Sequence, residues 1–514
     1  MPPGRSARPV ADVIAPTRDD ALVAASSHGI GGRLGAHALP HPFWTPLRVV
    51  LVLVTLSAVL GLARTAPCST GAWWGADQFS DLCYSDLPLG YVDSGLAERA
   101  VPYADTGGRY PTTTSTPPVA ATAWLAAVAT HALLGWPDAS ARGNAPVPEL
   151  AASSVLEQEA TTYFFVASLL LFGCAAATAA LLARGSGRRR WDAAAFAAAP
   201  ALLLAGTIGW DLLAVLLAVS AWYVWTRGRP ATAGVLAGAG IATAFWPLAV
   251  LGAAVAVGLR AGRRQDAGIA ALAATTTWTV VQLPALRLGL RGWWETVNPR
   301  LGDPAGYGSL WGLVADTGVS VDAGLMATVV VLLTAAVSVA VVVLTWRTAR
   351  PRVAQVALLL LVGWVVVWPV YSPQQVVWLL PLAVLARPRW RDLLIWQAGE
   401  ACYFLAIWMH LSGATLDAGS VDRVYALAIV TRVAAECWLA GMVVRDLREP
   451  WSDPVAGSQS GQDDPVEGGG GETHVDVDLG PDRRRRLGAG DEQQADLHVR
   501  WLDEPASPAA DPKR

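Results

Sequence analysis

Six carboxylates, Asp77, Asp81, Asp86, Asp93, Glu98 and Asp105, share one segment with Trp73, Trp74, Tyr84, Tyr91 and Tyr103. A positioned carboxylate can take the proton of an attacking hydroxyl. Aromatic rings can stack on sugar faces, or sit at the level of lipid headgroups. Further along, Arg300 lies in a segment with Trp293, Trp294 and Trp311; a guanidinium can grip a phosphate through two parallel hydrogen bonds. Asp211 closes the run Gly209-Trp210-Asp211, and Gln374 and Gln375 follow Pro373 with amides suited to sugar hydroxyls. No HExxH, CxxC pair, Walker A or GxSxG motif occurs, which argues against zinc hydrolysis and ATP-driven transport. No metal or cofactor is implied.

The elements that must position these groups are apolar. Only 15% of the 514 residues are charged and 53% are hydrophobic, with 24 Trp; a soluble globular protein carries about 25% charge. A cytosolic enzyme, a disordered protein and a nucleic-acid binder are thereby excluded. A membrane helix needs about 20 apolar residues. Spans are expected near 47–63, 160–183, 193–208, 211–226, 267–286, 322–346, 353–370, 375–386, 392–411 and 424–443. The run 231–259 has Phe245-Trp246-Pro247 at its middle and basic residues at both ends. Proline breaks a helix there, so it reads as a two-helix hairpin. The fold class is an all-α polytopic membrane protein with about 12 crossings.

Arginine placement sets the orientation. Five basic loops, around 184–190, 227–229, 260–264, 347–352 and 387–391, fall on one face if the N-terminus is inside. That places the protein in the plasma membrane with both termini cytoplasmic. It also makes 64–159 a large outer loop and 287–321 a second one. The stretch 117–135 is apolar enough to cross, but a crossing would turn the basic loops outward, so it is read as interfacial or re-entrant. Cys68 and Cys83 then face an oxidising compartment where a disulfide can form; two free thiols are the other reading. Residues 1–46 are polar. From 444 onward the chain carries 16 acidic against 9 basic groups and too little apolar content to fold, so it is read as a disordered acidic tail.

The run Cys83-Tyr84-Ser85-Asp86-Leu87-Pro88, followed by Tyr91, Gly95-Leu96 and Val101-Pro102-Tyr103-Ala104-Asp105, resembles the first outer loop of glycosyltransferase family 87. The resemblance continues through Trp191-Asp192-Ala193, Gly209-Trp210-Asp211-Leu212-Leu213-Ala214, Arg229-Pro230 with Ala233-Gly234-Val235-Leu236, Gly308-Ser309-Leu310-Trp311, and Ser372-Pro373-Gln374-Gln375 with Trp378-Leu379-Leu380-Pro381. It covers about residues 45–443. What it implies is a GT-C-like membrane glycosyltransferase. Such an enzyme moves a sugar, here expected to be mannose, from a polyprenyl phosphate to an envelope glycolipid or glycan. The lipid bilayer is a partner and nucleic acid is not. Asp86 becomes the catalytic base; Asp211, Arg300, Gln374, Gln375, Tyr103 and Asp105 become substrate-binding candidates. Two departures stand out. Family members often have Glu-Tyr-Pro where this chain has Arg109-Tyr110-Pro111. They often have Lys ahead of the hairpin break, where this chain has Ala244-Phe245-Trp246-Pro247. Arg300 or Arg109 is then left to contact the donor phosphate, or the protein is inactive.

Structural readings stand beside these. Asp86 fits a helix cap, Asp211 an N-cap for a helix from 212, Arg300 a solvated loop residue, and the glutamines a helix start. His410 is read as structural. Glu400, Arg432 and Glu436 lie inside spans, where an isolated charge costs about 2.5–3.5 kcal/mol. Arg432 and Glu436 are four apart on one helix face and can pair, with Glu400 joining as an inter-helix lock. A transporter or lipid flippase remains the rival reading, and an inactive scaffold the third.

Overall fold

In lipid, backbone amides have no water to bond, so apolar segments satisfy them internally as helices. The structure of the protein, a computed structural model, describes residues 43–71, 73–104, 108–110, 115–151, 153–297, 305–319, 322–415 and 422–455, with 22–23, 25–26 and 29. Every regular element among them is helical. The principal helices are α1 (Pro46–Arg64), α2 (Asp86–Asp93), α3 (Pro117–Leu134), α4 (Ser154–Gly185), α5 (Asp211–Thr226), α6 (Pro230–Thr243), α7 (Leu248–Arg260), α8 (Arg264–Leu288), α9 (Ala323–Arg347), α10 (Val353–Val367), α11 (Val376–Ala386), α12 (Trp390–Leu411) and α13 (Arg423–Arg448). Six of them, α1, α3, α4, α8, α9 and α13, are long and apolar enough to cross a membrane. The chain is therefore a helical protein built for a membrane.

Two features of packing agree with an apolar surrounding. Helix α9 is mostly unburied and exposes Leu325, Val331, Leu332, Leu333 and Val339. A stripe of that size facing water would be an aggregation hazard; facing lipid it is at home. Helix α10 is instead enclosed, with Val353 through Val362 all buried. Small residues let helices meet closely. A Cβ on Gly234 of α6 would lie 2.3 Å from the Ala270 carbonyl oxygen of α8, and one on Gly238 2.3 Å from that of Ala274.

The expected hairpin is present. Helix α6 ends at Thr243, and α7 starts after Pro247, which occupies its N-cap position. The expected short span 193–208 is two pieces, Ala193–Ala197 and Pro200–Ala205. Proline opens the second piece, where its missing N–H costs no helical bond.

The five basic loops gather at one end. The Arg260 guanidinium reaches the Thr348 carbonyl, and Arg352 donates to the carbonyls of Leu385 and Ala386 at 2.8 and 2.7 Å. Arg263 lies over the Trp225 ring. Arg189 donates to the Pro454 carbonyl at 2.8 Å, and Arg352 pairs with Asp453 at 3.0 Å. The polar segment expected from 444 thus begins later. Helix α13 runs on to Arg448, and Asp446 and Asp453 are buried against the arginines.

Helix α3 meets the opposite end with both of its termini. Thr116 donates to the Thr243 carbonyl at the end of α6, and Ala120 packs with Tyr103 and with Ala285, near the end of α8. At its other end His131 is 2.8 Å from the Tyr91 hydroxyl, which also reaches Glu159 in the first turns of α4. Length and composition alone would let α3 cross.

The buried charges form a cluster. Arg432 pairs with Glu436 at 3.0 Å and lies 3.5 Å from the Tyr371 ring centroid. The Tyr371 hydroxyl donates to Glu400 at 2.9 Å, as does the Trp396 indole. Glu400 therefore joins the pair through Tyr371, and α12 and α13 are tied together at their centre. His410, 2.9 Å from Asp422 and stacked on Tyr425, serves the same two helices.

Candidate functional site

The local sequence around Asp86 explains where its carboxylate goes. Ser85 is the N-cap of α2: its hydroxyl accepts from the Leu87 amide at 3.2 Å and donates to the Thr207 carbonyl at 2.7 Å. The Asp86 amide donates to the Ile208 carbonyl at 2.8 Å. The capping role is thus filled by Ser85, and the Asp86 side chain is left over. It accepts from the Tyr84 hydroxyl at 2.5 Å and from the Gln374 amide at 3.2 Å.

The run Cys83-Tyr84-Ser85 is held in place from behind. Cys68 and Cys83 form a disulfide with Cα atoms 5.8 Å apart. Phe79, Tyr84 and Trp408 stack on one another with centroids 4.9–5.8 Å apart.

Asp211 arrives from the other side. It is the first residue of α5 and makes no cap; Trp210 holds the N-cap position. Its carboxylate accepts from the Trp378 indole at 2.6 Å. Gly209 is the point where the groups meet. A Cβ there would lie 2.9 Å from an Asp211 carboxylate oxygen, 3.7 Å from one of Asp86 and 3.9 Å from Gln374 Cγ. Only glycine leaves that space open. Trp246, from the break between α6 and α7, stacks on Trp378 at 6.1 Å, and its buried indole N–H has no partner.

Burial pushes the Asp86 carboxyl above the usual carboxylate range, opposed by the Tyr84 hydrogen bond. Burial, and then the neighbouring Asp86 charge, push the Tyr84 hydroxyl up, so it stays a donor. The result is a half-buried carboxylate fixed by neutral donors, with raised basicity and a second carboxylate beside it. Such a group can accept a proton from a hydroxyl brought to it.

Of the residues expected at the site, Asp86, Asp211 and Gln374 come together. Gln375 follows Gln374 in the short 3₁₀ turn before α11, and no partner for its side chain is seen. Tyr103 does not join them. It is buried with Ala120, Ala285 and Trp293, and its hydroxyl is bound to the Ser115 carbonyl. Arg300 and Asp105 lie outside the described residues. Arg109 is not a substitute phosphate contact. Its guanidinium holds Glu98 with bonds of 2.6 and 2.9 Å and caps the Arg142 and Ala145 carbonyls. Burial raises the Glu98 carboxyl, but hydrogen bonds from Arg109 and Tyr110 outweigh it and hold it low. A cavity of about 190 Å³ lies beside this pair, lined by Glu98, Tyr110, Arg142 and apolar residues, and Asp86 is not among its walls.

Tyr84, Gly209, Trp246 and Trp378 were not among the expected site residues. Tyr84 is two residues from Asp86, and Gly209 and Trp378 stand in runs already singled out, so position was their one signal. A scan against protein-family models finds no match, and a search of curated proteins finds none. The family resemblance rests on the sequence runs themselves.

Proposed function

We propose that this protein is an integral-membrane glycosyltransferase with a GT-C-like arrangement and about 12 crossings. It takes a sugar, mannose by resemblance, from a polyprenyl phosphate at the outer membrane face. The acceptor is a hydroxyl of an envelope glycolipid or glycan. The observation that carries this reading is the Asp86 carboxylate, freed from capping by Ser85 and held by Tyr84 and Gln374 beside Asp211. In the reaction the acceptor oxygen attacks the anomeric carbon and Asp86 takes its proton. The bond from that carbon to the phosphate oxygen breaks, its electron pair leaves with the polyprenyl phosphate, and the sugar inverts. Asp211, held by Trp378, is placed to bind sugar hydroxyls with Gln374.

The test is transfer of labelled sugar from polyprenyl phosphate in membranes, comparing wild type with Asp86→Asn. Loss of a general base costs about 10²–10⁴-fold. Full activity in the variant removes the base assignment. No transfer by wild type with several donors favours an inactive member. The rival transporter reading would use the charges at the centre of α12 and α13. They tie helices together through Tyr371 and Trp396, which suits a fixed lock better than a moving relay.

A further inference from the structure

Arg64 ends α1, at the same end of the bundle as Asp86. Its Nη1 donates to the Leu82 carbonyl, two residues before Tyr84, and its guanidinium lies 5.6 Å from the Phe404 ring centroid. Its Nε and Nη2 are buried and have no hydrogen-bond partner. Those two nitrogens form one edge of the guanidinium, with parallel N–H bonds: the fork that fits two oxygens of one phosphate. The helix C-terminus and the Leu82 carbonyl use the charge and one nitrogen, and the fork is left over. No carboxylate pairs with Arg64 among the described residues, whereas arginines at the opposite end such as Arg189, Arg352 and Arg387 find one.

A second donor without a partner stands close by. Phe404 also packs on Trp408, whose side chain is 3% exposed and whose indole N–H is unpaired. Trp408 stacks in turn on Tyr84, the hydrogen-bond donor to Asp86. Buried donors without acceptors cost free energy, and so does a buried charge with no partner. An anion relieves both.

We propose that Arg64 binds a phosphate group through its Nε–Nη2 fork, with the Trp408 indole as a neighbouring donor. It would then be the anion site that serves the Asp86 carboxylate. The fork is covered, so binding includes a local opening beside Phe404. Arg64 closes an apolar helix, where lipid phosphates lie, so the phosphate is that of a lipid rather than a free ion. The lipid's identity rests on the transferase reading; the anion site does not.

Equilibrium binding to the full-length purified protein tests this, with decaprenyl phosphate, decaprenol and inorganic phosphate as probes. Arg64→Gln is expected to weaken decaprenyl phosphate at least tenfold and to leave decaprenol unchanged. Arg64→Lys keeps the charge without the fork and is expected to lose severalfold; it carries the test if the glutamine variant does not fold. Equal binding of decaprenyl phosphate by wild type and a folded variant overturns the proposal, and so does an equal loss for decaprenol. Inorganic phosphate bound as tightly as the lipid overturns the lipid source. Arg64-dependent binding without any sugar transfer removes the transferase reading and leaves the anion site standing.

Discussion

The basic end of the bundle and the cluster around Asp86 treat charge in opposite ways. At the basic end arginines meet acids. Arg387 holds both Asp392 and Asp446, Arg189 holds Asp192, and Arg352 holds Asp453, all largely buried. At the other end Arg109 and Arg142 also hold acids, Glu98 and Glu159, but Asp86 and Asp211 are held by a tyrosine, a tryptophan and a glutamine, and Arg64 by a carbonyl. Paired charges fix a shape and are spent in doing so. Charges held by neutral groups keep their capacity to bind or to move a proton. On this contrast the far end is the working end and the basic end is the frame.

The contrast can be broken by experiment, and the largest effect should come from the working end. Asp86→Asn should abolish transfer with little change in melting temperature, because no ion pair is lost; a large fall in stability instead would make Asp86 part of the frame. Arg387→Ala should do the reverse. It leaves the buried Asp446 without a charge partner, while Asp392 keeps Arg391 at 2.8 Å; breaking such a buried pair costs about 3–5 kcal/mol, and thermal unfolding in detergent would read it. Cysteine replacement comes next. Cys68→Ser with Cys83→Ser opens a loop of sequence separation 15, worth about 3 kcal/mol in the chain-entropy account. That loss should appear in protease resistance of the loop before it appears in the bundle.

The subtlest effects lie in geometry and pH. Gly209→Ala should displace the Asp211 carboxylate, since the added Cβ would sit 2.9 Å from it. Transfer should fall while donor-phosphate binding holds, and unchanged turnover would show that the gap is not used. A base works only when deprotonated, so the rate should fall as pH drops through the raised Asp86 pKa. Tyr84→Phe removes the hydrogen bond that opposes this rise, so the acid limb of the rate profile should move to higher pH. A shift to lower pH would contradict the assignment of Asp86 as base.

The frame was largely legible in the sequence, because lipid imposes it residue by residue. Apolar runs marked the helices, Pro247 marked the hairpin break, and the arginine loops do share one end. The working end was legible only in part. Asp86 and Gln374 are 288 residues apart, and Asp211 and Trp378 are 167 apart; no periodicity links such positions. Arg109 resembled a free cation because Glu98 stands 11 residues away, with no helix joining them. Arg64 drew no notice in the sequence, and only packing shows which edge of its guanidinium is unused.

The strap formed by Asp446 and Asp453 has a consequence for how the protein is made. Arg352 and Arg387 leave the ribosome well before Asp453 and Asp446, the acids of the tail that pair with them. While the earlier helices are being made, Arg352 lacks its acid and Arg387 has only Asp392. The acids arrive last and close the basic end. The end of the last helix thus locks loops that were made much earlier into one scaffold.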